Sequence, residues 1–320
     1  MQFHLHCKRA TIGVFLAATI AMAGASDKRI IESIKTMENA LGLTITDPSK
    51  LGGRIRRTQQ IPGNYSILAR AISPDGTAIA WWAGNIFAAI EDSGPAANPG
   101  ERTPFLTVES LREGKQPIWV EGRVAAAVIG ISSGAEVIVA IARPSIQRPK
   151  WELLAIDRRS GLVVHNLTPF VTQFKLGEKV GDINVSGPGT LLALGQSYPE
   201  QMQVLEIASG KSIYAGPGRC PQLSPDGKRL AFVDKDELWI HSFADDSTAQ
   251  LLKGTRVKGV GGWSPDGRFL LAGAWTTAFA FEKRQIIIDT STGEYAVRGK
   301  LGEGDYGCQF AWVSAKLLEQ

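Results

Sequence analysis

Runs of β-prone apolar residues recur along most of the chain, each entered through a turn rich in Ser, Pro, Asp or Gly. They read TAIAWWA at 77–83, AEVIVAI at 135–141, TLLALG at 190–195, KRLAFVD at 228–234 and RFLLAGA at 268–274. Most are almost continuously apolar rather than alternating, the pattern of strands covered on both faces. The N-terminal region reads differently. After Ser26, residues Ile30, Ile34, Met37 and Leu41 fall at spacings of 4, 3 and 4, which predicts one amphipathic helix. Ser26 or Asp27 can cap its start, and Gly42 suits the position after its end. Before it, Lys8 and Arg9 precede an apolar stretch from Ala10 to Ala23 that ends in small residues. A basic region, an apolar core and an Ala-x-Ala site (Ala21-x-Ala23 or Ala23-x-Ala25) predict a secretory signal peptide over 1–25. The run is shorter than the roughly 20 apolar residues that a spanning helix needs.

The turns before the apolar runs share a motif. Ser-Pro-Asp-Gly occupies 73–76, 224–227 and 264–267, preceded by Ile72, Leu223 and Trp263. The last two copies are 40 residues apart and the first gap is 151. A repeat period of about 40–50 residues puts two degenerate copies inside that gap. They are Ile131-Ser132-Ser133-Gly134 and Val185-Ser186-Gly187-Pro188-Gly189. A sixth, eroded copy is Phe310-Ala311-Trp312-Val313-Ser314, followed by AKLL, with room for one more strand. Pro fixes φ, Asp bonds nearby backbone and Gly supplies positive φ, so the motif reverses the chain tightly. Asp75, Asp226 and Asp266 are therefore read as turn residues, not as a carboxylate array. A second polar turn ending in Gly follows, at Asp157–Gly161, Ala208–Gly210 and Asp289–Gly293. Two hairpin turns per unit give four strands per unit. The expected fold is all-β: a six-bladed β-propeller of four-stranded blades over 52–320, preceded by the signal peptide and by a short helix and linker over 26–51. Gly53 to Ile61, with Arg54, Arg56 and Arg57, is expected to supply outer strands for the last blade and close the ring.

The Ser-Pro-Asp-Gly turn, the large apolar residue before it and the strand after it resemble the WD40-like β-propeller repeat of the TolB family. The resemblance covers Tyr65 to Gln320. It implies a propeller and a role as a binding protein in the bacterial envelope. The family's α/β domain before the propeller has no expected counterpart here, because 39 residues separate Ala25 from Tyr65.

Composition agrees with turns joined by short strands: 35 Gly and 16 Pro in 320 residues, above average usage. The formal charge of +4 falls to about +2 when Lys8 and Arg9 leave with the signal. That is too small for a nucleic-acid binder. The composition also excludes collagen, coiled coil and acidic disorder. Cys220 and Cys308 remain after signal removal, near the starts of innermost strands of the fourth and sixth units. Non-adjacent units favour two buried thiols over a disulfide, which needs Cα atoms about 4–7 Å apart.

Candidate chemistry is sparse. Gly130-Ile131-Ser132-Ser133-Gly134 matches the G-x-S-x-G nucleophile elbow, yet it aligns with a propeller turn and a strand follows where that elbow needs a helix. Gly302 to Gly307 matches G-x-G-x-x-G but reads as a loop. His165 and His241 have no metal-ligand spacing. Asp234, Asp236 and Glu237 read as a solvated hairpin tip, with calcium the alternative. No cofactor is expected. Binding is assigned to the face that carries the blade-to-blade loops, around the channel mouth. Candidates are Tyr65, Trp82, Arg143, Asp182, Arg219, Lys258, Trp275 and Tyr306, with Arg148 and Lys150 nearby. Arg and aromatic residues are enriched in binding hot spots, while Trp82 and Trp275 can equally serve packing between blades. The expected function is an exported, periplasmic or secreted, monomeric and non-catalytic propeller that binds a protein or peptide partner in the envelope. It has no integral membrane segment once mature. The alternative is a propeller enzyme or glycan binder acting at the channel mouth.

Overall fold

The computed structural model describes residues 28–46, 66–84, 106–120, 123, 125–143, 150–176, 180–275, 283–301 and 310–319. A helix, α1, spans 28–41 and leads into β1 (Leu43–Thr46). Five antiparallel four-stranded sheets follow, each built from four consecutive strands. Blade 1 contains β2 (Ser66–Ile72), β3 (Ala78–Gly84), β4 (Leu106–Ser110) and β5 (Gly114–Ile118). Blade 2 contains β6 (Ala125–Ile131), β7 (Val137–Arg143), β8 (Glu152–Asp157) and β9 (Val163–Asn166). Blade 3 contains β10 (Val180–Val185), β11 (Leu191–Ser197), β12 (Glu200–Glu206) and β13 (Ser212–Gly216). Blade 4 contains β14 (Arg219–Leu223), β15 (Arg229–Asp234), β16 (Glu237–Ser242) and β17 (Ser247–Gln250). Blade 5 contains β18 (Arg256–Trp263), β19 (Phe269–Trp275), β20 (Lys283–Asp289) and β21 (Tyr295–Lys300). The chain then forms β22 (Ala311–Ser314) and a short helix, α2 (Ala315–Glu319).

The six-blade expectation is corrected to five four-stranded blades plus a strand pair. β22 pairs antiparallel with β1, Leu43 opposite Ser314 and Thr46 opposite Ala311. The first strands of the blades neighbour one another in a circle that β22 completes between β18 and β2. The eroded sixth copy therefore keeps its innermost strand, but the AKLL that follows is helical, not a strand. Ala, Lys, Leu and Glu are strong helix formers. The closing N-terminal strand is LTIT at 43–46; Gly53 to Ile61 lies outside the described residues, as do the predicted signal peptide and Cys308.

The continuous apolar runs are explained by cores on both faces of each blade. On β7, Ile138 and Ala140 pack into the cluster shared with blade 1, while Val139 and Ile141 pack into the one shared with blade 3. On β19, Leu270, Ala272 and Ala274 face blade 4, while Phe269 and Leu271 face α1, β1 and Trp312. In the sixth sector, Ile30, Ile34 and Met37 of α1 are buried against blade 5 as the stripe predicts. Leu41 departs from it, 51% exposed at the helix end. On the other side, Val313 and Leu317 pack on Ile79 and Trp81 of blade 1.

The turn motif has one construction throughout. Ser224 Oγ donates to Asp226 Oδ1 at 2.6 Å and accepts the Arg229 backbone N–H at 2.9 Å. Ser73 and Ser264 do the same with Asp75 and Asp266. In the two degenerate copies the Asp is gone but the serine remains: Ser132 accepts from Val137 N–H and Ser186 from Leu191 N–H, both at 3.0 Å. The G-x-S-x-G serine is thus a buried turn residue.

Candidate functional site at the channel mouth

The six innermost strands surround a central cavity of about 680 Å³. In each complete blade the first strand is bulged against the second near its start. A bulge leaves residues unpaired and re-aims their side chains. In blades 3 to 5 the skipped positions are Gly181, Cys220 with Pro221, and Lys258, so the bulges fall where the polar lining gathers. Cys220 is held at φ +51°.

Four expected site residues come together there. Asp182 lines the cavity and accepts hydrogen bonds from the backbone N–H and the thiol of buried Cys220. Burial pushes its carboxyl up to about 6, against the opposing pull of those bonds and of Arg219. Arg219 bonds Glu200 through Nη1, Asp236 through Nη2 at 2.8 Å and the Lys258 carbonyl through Nε at 3.4 Å. Lys258 Nζ reaches Asp236 Oδ2 at 2.6 Å, and Arg256 Nη2 reaches the same oxygen at 2.8 Å. Both of these cations lie over the Trp275 ring, the Arg256 guanidinium carbon 5.6 Å and Lys258 Nζ 5.7 Å from its centroid. Deeper in, Asn184 Nδ2 donates to Gln222 Oε1 at 3.1 Å, tying blade 3 to blade 4.

Asp236 is the hub that the sequence reading missed. It sits with Lys235 in a two-residue turn between β15 and β16, both at positive φ, 49° for Lys235 and 64° for Asp236. Such turns match the twist of the strands they join. Here the turn delivers the carboxylate to three cations. Burial alone would raise its pKa, but hydrogen bonds from Lys258, Arg256 and Arg219 hold it well below the usual carboxylate range. The acidic trio is therefore split: Glu237 faces solvent as a hairpin tip does, while Asp236 is ion-paired. The available signal was the spacing of RLAFVD and ELWIHS, which leaves two residues for the turn.

Trp82 and Arg143 are not among the residues that line the cavity. Trp82 is only 6% exposed and packs between blades 1 and 2. Arg143 ends β7 in blade 2. Tyr65, Arg148 and Tyr306 lie outside the described residues. Among the described residues, His165 and His241 lie on different blades, and no group of three or more His, Cys, Asp or Glu side chains could hold a metal ion. No helix among them is long and apolar enough to cross a membrane.

The solved structures that this chain resembles include TolB proteins. TolB from Acinetobacter baumannii matches over 77% of this chain and 57% of its own, with 15% identity and a TM-score of 0.49. The chain thus spans little more than half the length of that protein. The putative TolB from Agrobacterium tumefaciens matches over 77% of this chain and 90% of its own, with 14% identity and a TM-score of 0.47. A chain of the nidogen/laminin complex matches over 78% and 86%, at 11% identity and a TM-score of 0.47. No family model and no curated protein matches the chain. The propeller assignment rests on the five sheets themselves.

Proposed function

We propose that the chain is an exported, non-catalytic propeller of the cell envelope, periplasmic or secreted, that binds a protein or peptide partner at its channel mouth. The observation that carries this reading is the convergence of Arg219, Arg256, Lys258 and Trp275 beside an open cavity. Arg and Trp are the side chains that most often dominate protein interfaces. The basic region, apolar core and Ala-x-Ala site over 1–25 support export. The likeness to TolB is one of fold, and fold alone does not carry function.

A photo-crosslinking residue at Arg256 tests the reading, with Arg159 on the opposite face as control. A defined protein adduct in envelope extract from the first position and not the second is expected. The same adducts from both positions, or none from Arg256, overturns it. A second reading, a glycan or other small-ligand binder, or an enzyme, acting in the channel, is favoured by the Asp182–Cys220 pair in a cavity of about 680 Å³. Thermal stabilisation by a sugar, lost in Asp182→Asn, would favour it.

A further inference from the structure

The mouth is not uniform in charge. Glu200 and Asp182 lie on the Arg219 side. Arg256 and Lys258 share a single carboxylate oxygen, Asp236 Oδ2, with each other, while Oδ1 is taken by Arg219. A guanidinium carries five N–H donors and an ammonium three, so the bonds of Arg256 and Lys258 to Asp236 use only part of their donor capacity. Arg256 is 63% exposed. Both cations lie over Trp275, which supplies an apolar plate beside the charge. Asp236 is thus an internal anion that leaves its cations with donors to spare, one of them exposed.

We propose that Arg256, Lys258 and Trp275 form the docking point for an acidic segment of the partner, whose carboxylates compete with Asp236 for the two cations. The inference rests on the reading of the mouth as a partner-binding surface and adds the chemistry of what binds there. Charge complementarity of this kind fixes which partners are accepted and speeds encounter. Removing Asp236 frees the cations, so it strengthens binding of an acidic ligand, whereas a purely structural network can only be weakened by its loss.

The test uses the full chain with fluorescein-labelled hexaglutamate and hexalysine, followed by anisotropy at low and at physiological salt. Hexaglutamate is expected to bind, and hexalysine not. Arg256→Ser with Lys258→Ser should weaken hexaglutamate binding at least about tenfold, and Asp236→Asn should tighten it several-fold. Exposed Arg256→Ser alone keeps the test valid if Asp236→Asn does not fold, with a loss of several-fold expected. Equal binding of both peptides, an equal loss on changing Arg112 and Arg159 on the opposite face, or no effect of Arg256→Ser overturns the inference. If an Arg256 adduct forms and hexaglutamate does not compete with it, the acidic-segment inference fails while the partner reading stands. Hexaglutamate binding at the mouth with no adduct from envelope extract fails the partner reading alone.

Discussion

Replacing Ser224 by Ala removes one oxygen from a site that solvent does not reach. That oxygen has two bonds: it donates to Asp226 at 2.6 Å and accepts the Arg229 N–H at 2.9 Å. The backbone frame of the turn, Ser224 N–H to the Arg229 carbonyl and Gly227 N–H to the Ser224 carbonyl, both at 2.8 Å, is untouched. The cost is thus that of an orphaned N–H at the start of a core strand, about 1–3 kcal/mol, plus part of a bond to a charged acceptor. A loss of about 2–4 kcal/mol is expected. Asp226→Ala leaves the serine free to accept from Arg229, and Asp226 is exposed, so about 1 kcal/mol is expected. The degenerate copies support this order, because Ser132 and Ser186 keep the N–H bond with no Asp in the turn. Urea denaturation followed by tryptophan fluorescence measures both, provided the denaturant slope is unchanged. A Ser224→Ala loss no larger than that of Asp226→Ala would refute the idea that the serine, not the Asp, holds the turn.

Two other outcomes follow from the geometry. Burial pushes the Asp182 carboxyl from its ordinary 3.8 up to about 6, so its contribution to stability is full below 3.8 and is lost as pH rises through 6. Asp182→Asn should therefore gain up to about 3 kcal/mol on the parent chain between pH 4 and pH 7.5; stability curves that stay parallel across that range would contradict the assignment. Gly161 has φ +68° and a Cβ there would sit 2.3 Å from the Trp119 carbonyl oxygen, whereas Gly114 at φ +65° has open space. Gly114→Ala should cost about 1–2 kcal/mol from backbone conformation alone, and Gly161→Ala clearly more; thermal melts that rank them equal would remove the close packing of blade 2 on blade 1.

The repeat made much of the fold legible, and the same repeat brings together part of the candidate site. Asp182, Arg219 and Lys258 lie at the starts of successive innermost strands, so a period near 40 residues brings them to one rim. What the repeat does not encode was missed. LTIT is four residues long, too short for a period to show, and its partner is at the other end of the chain. AKLLE is a single helical turn or so, identical in pattern to a short apolar strand. Asp236 lies in a turn whose hydrophilicity reads as solvation, and only the positions of Arg219, Arg256 and Lys258 reveal its partners. Trp82 and Trp275 occur near the ends of equivalent second strands, yet one packs between blades and the other carries two cations. Composition cannot separate those roles.

The pairing of β1 with β22 has a kinetic meaning. Every four-stranded sheet joins neighbouring strands across short stretches of sequence, but Leu43 meets Ser314 across about 270 residues. Each doubling of a loop costs about 0.6 kcal/mol in closure entropy, so this contact is the most expensive to make from an unfolded chain and profits most from blades already in place. The sixth sector is then a latch that seats last, once the blades between its two strands have formed. It is also the natural first point of opening, where a ring of otherwise local sheets can breathe without any blade losing its strands.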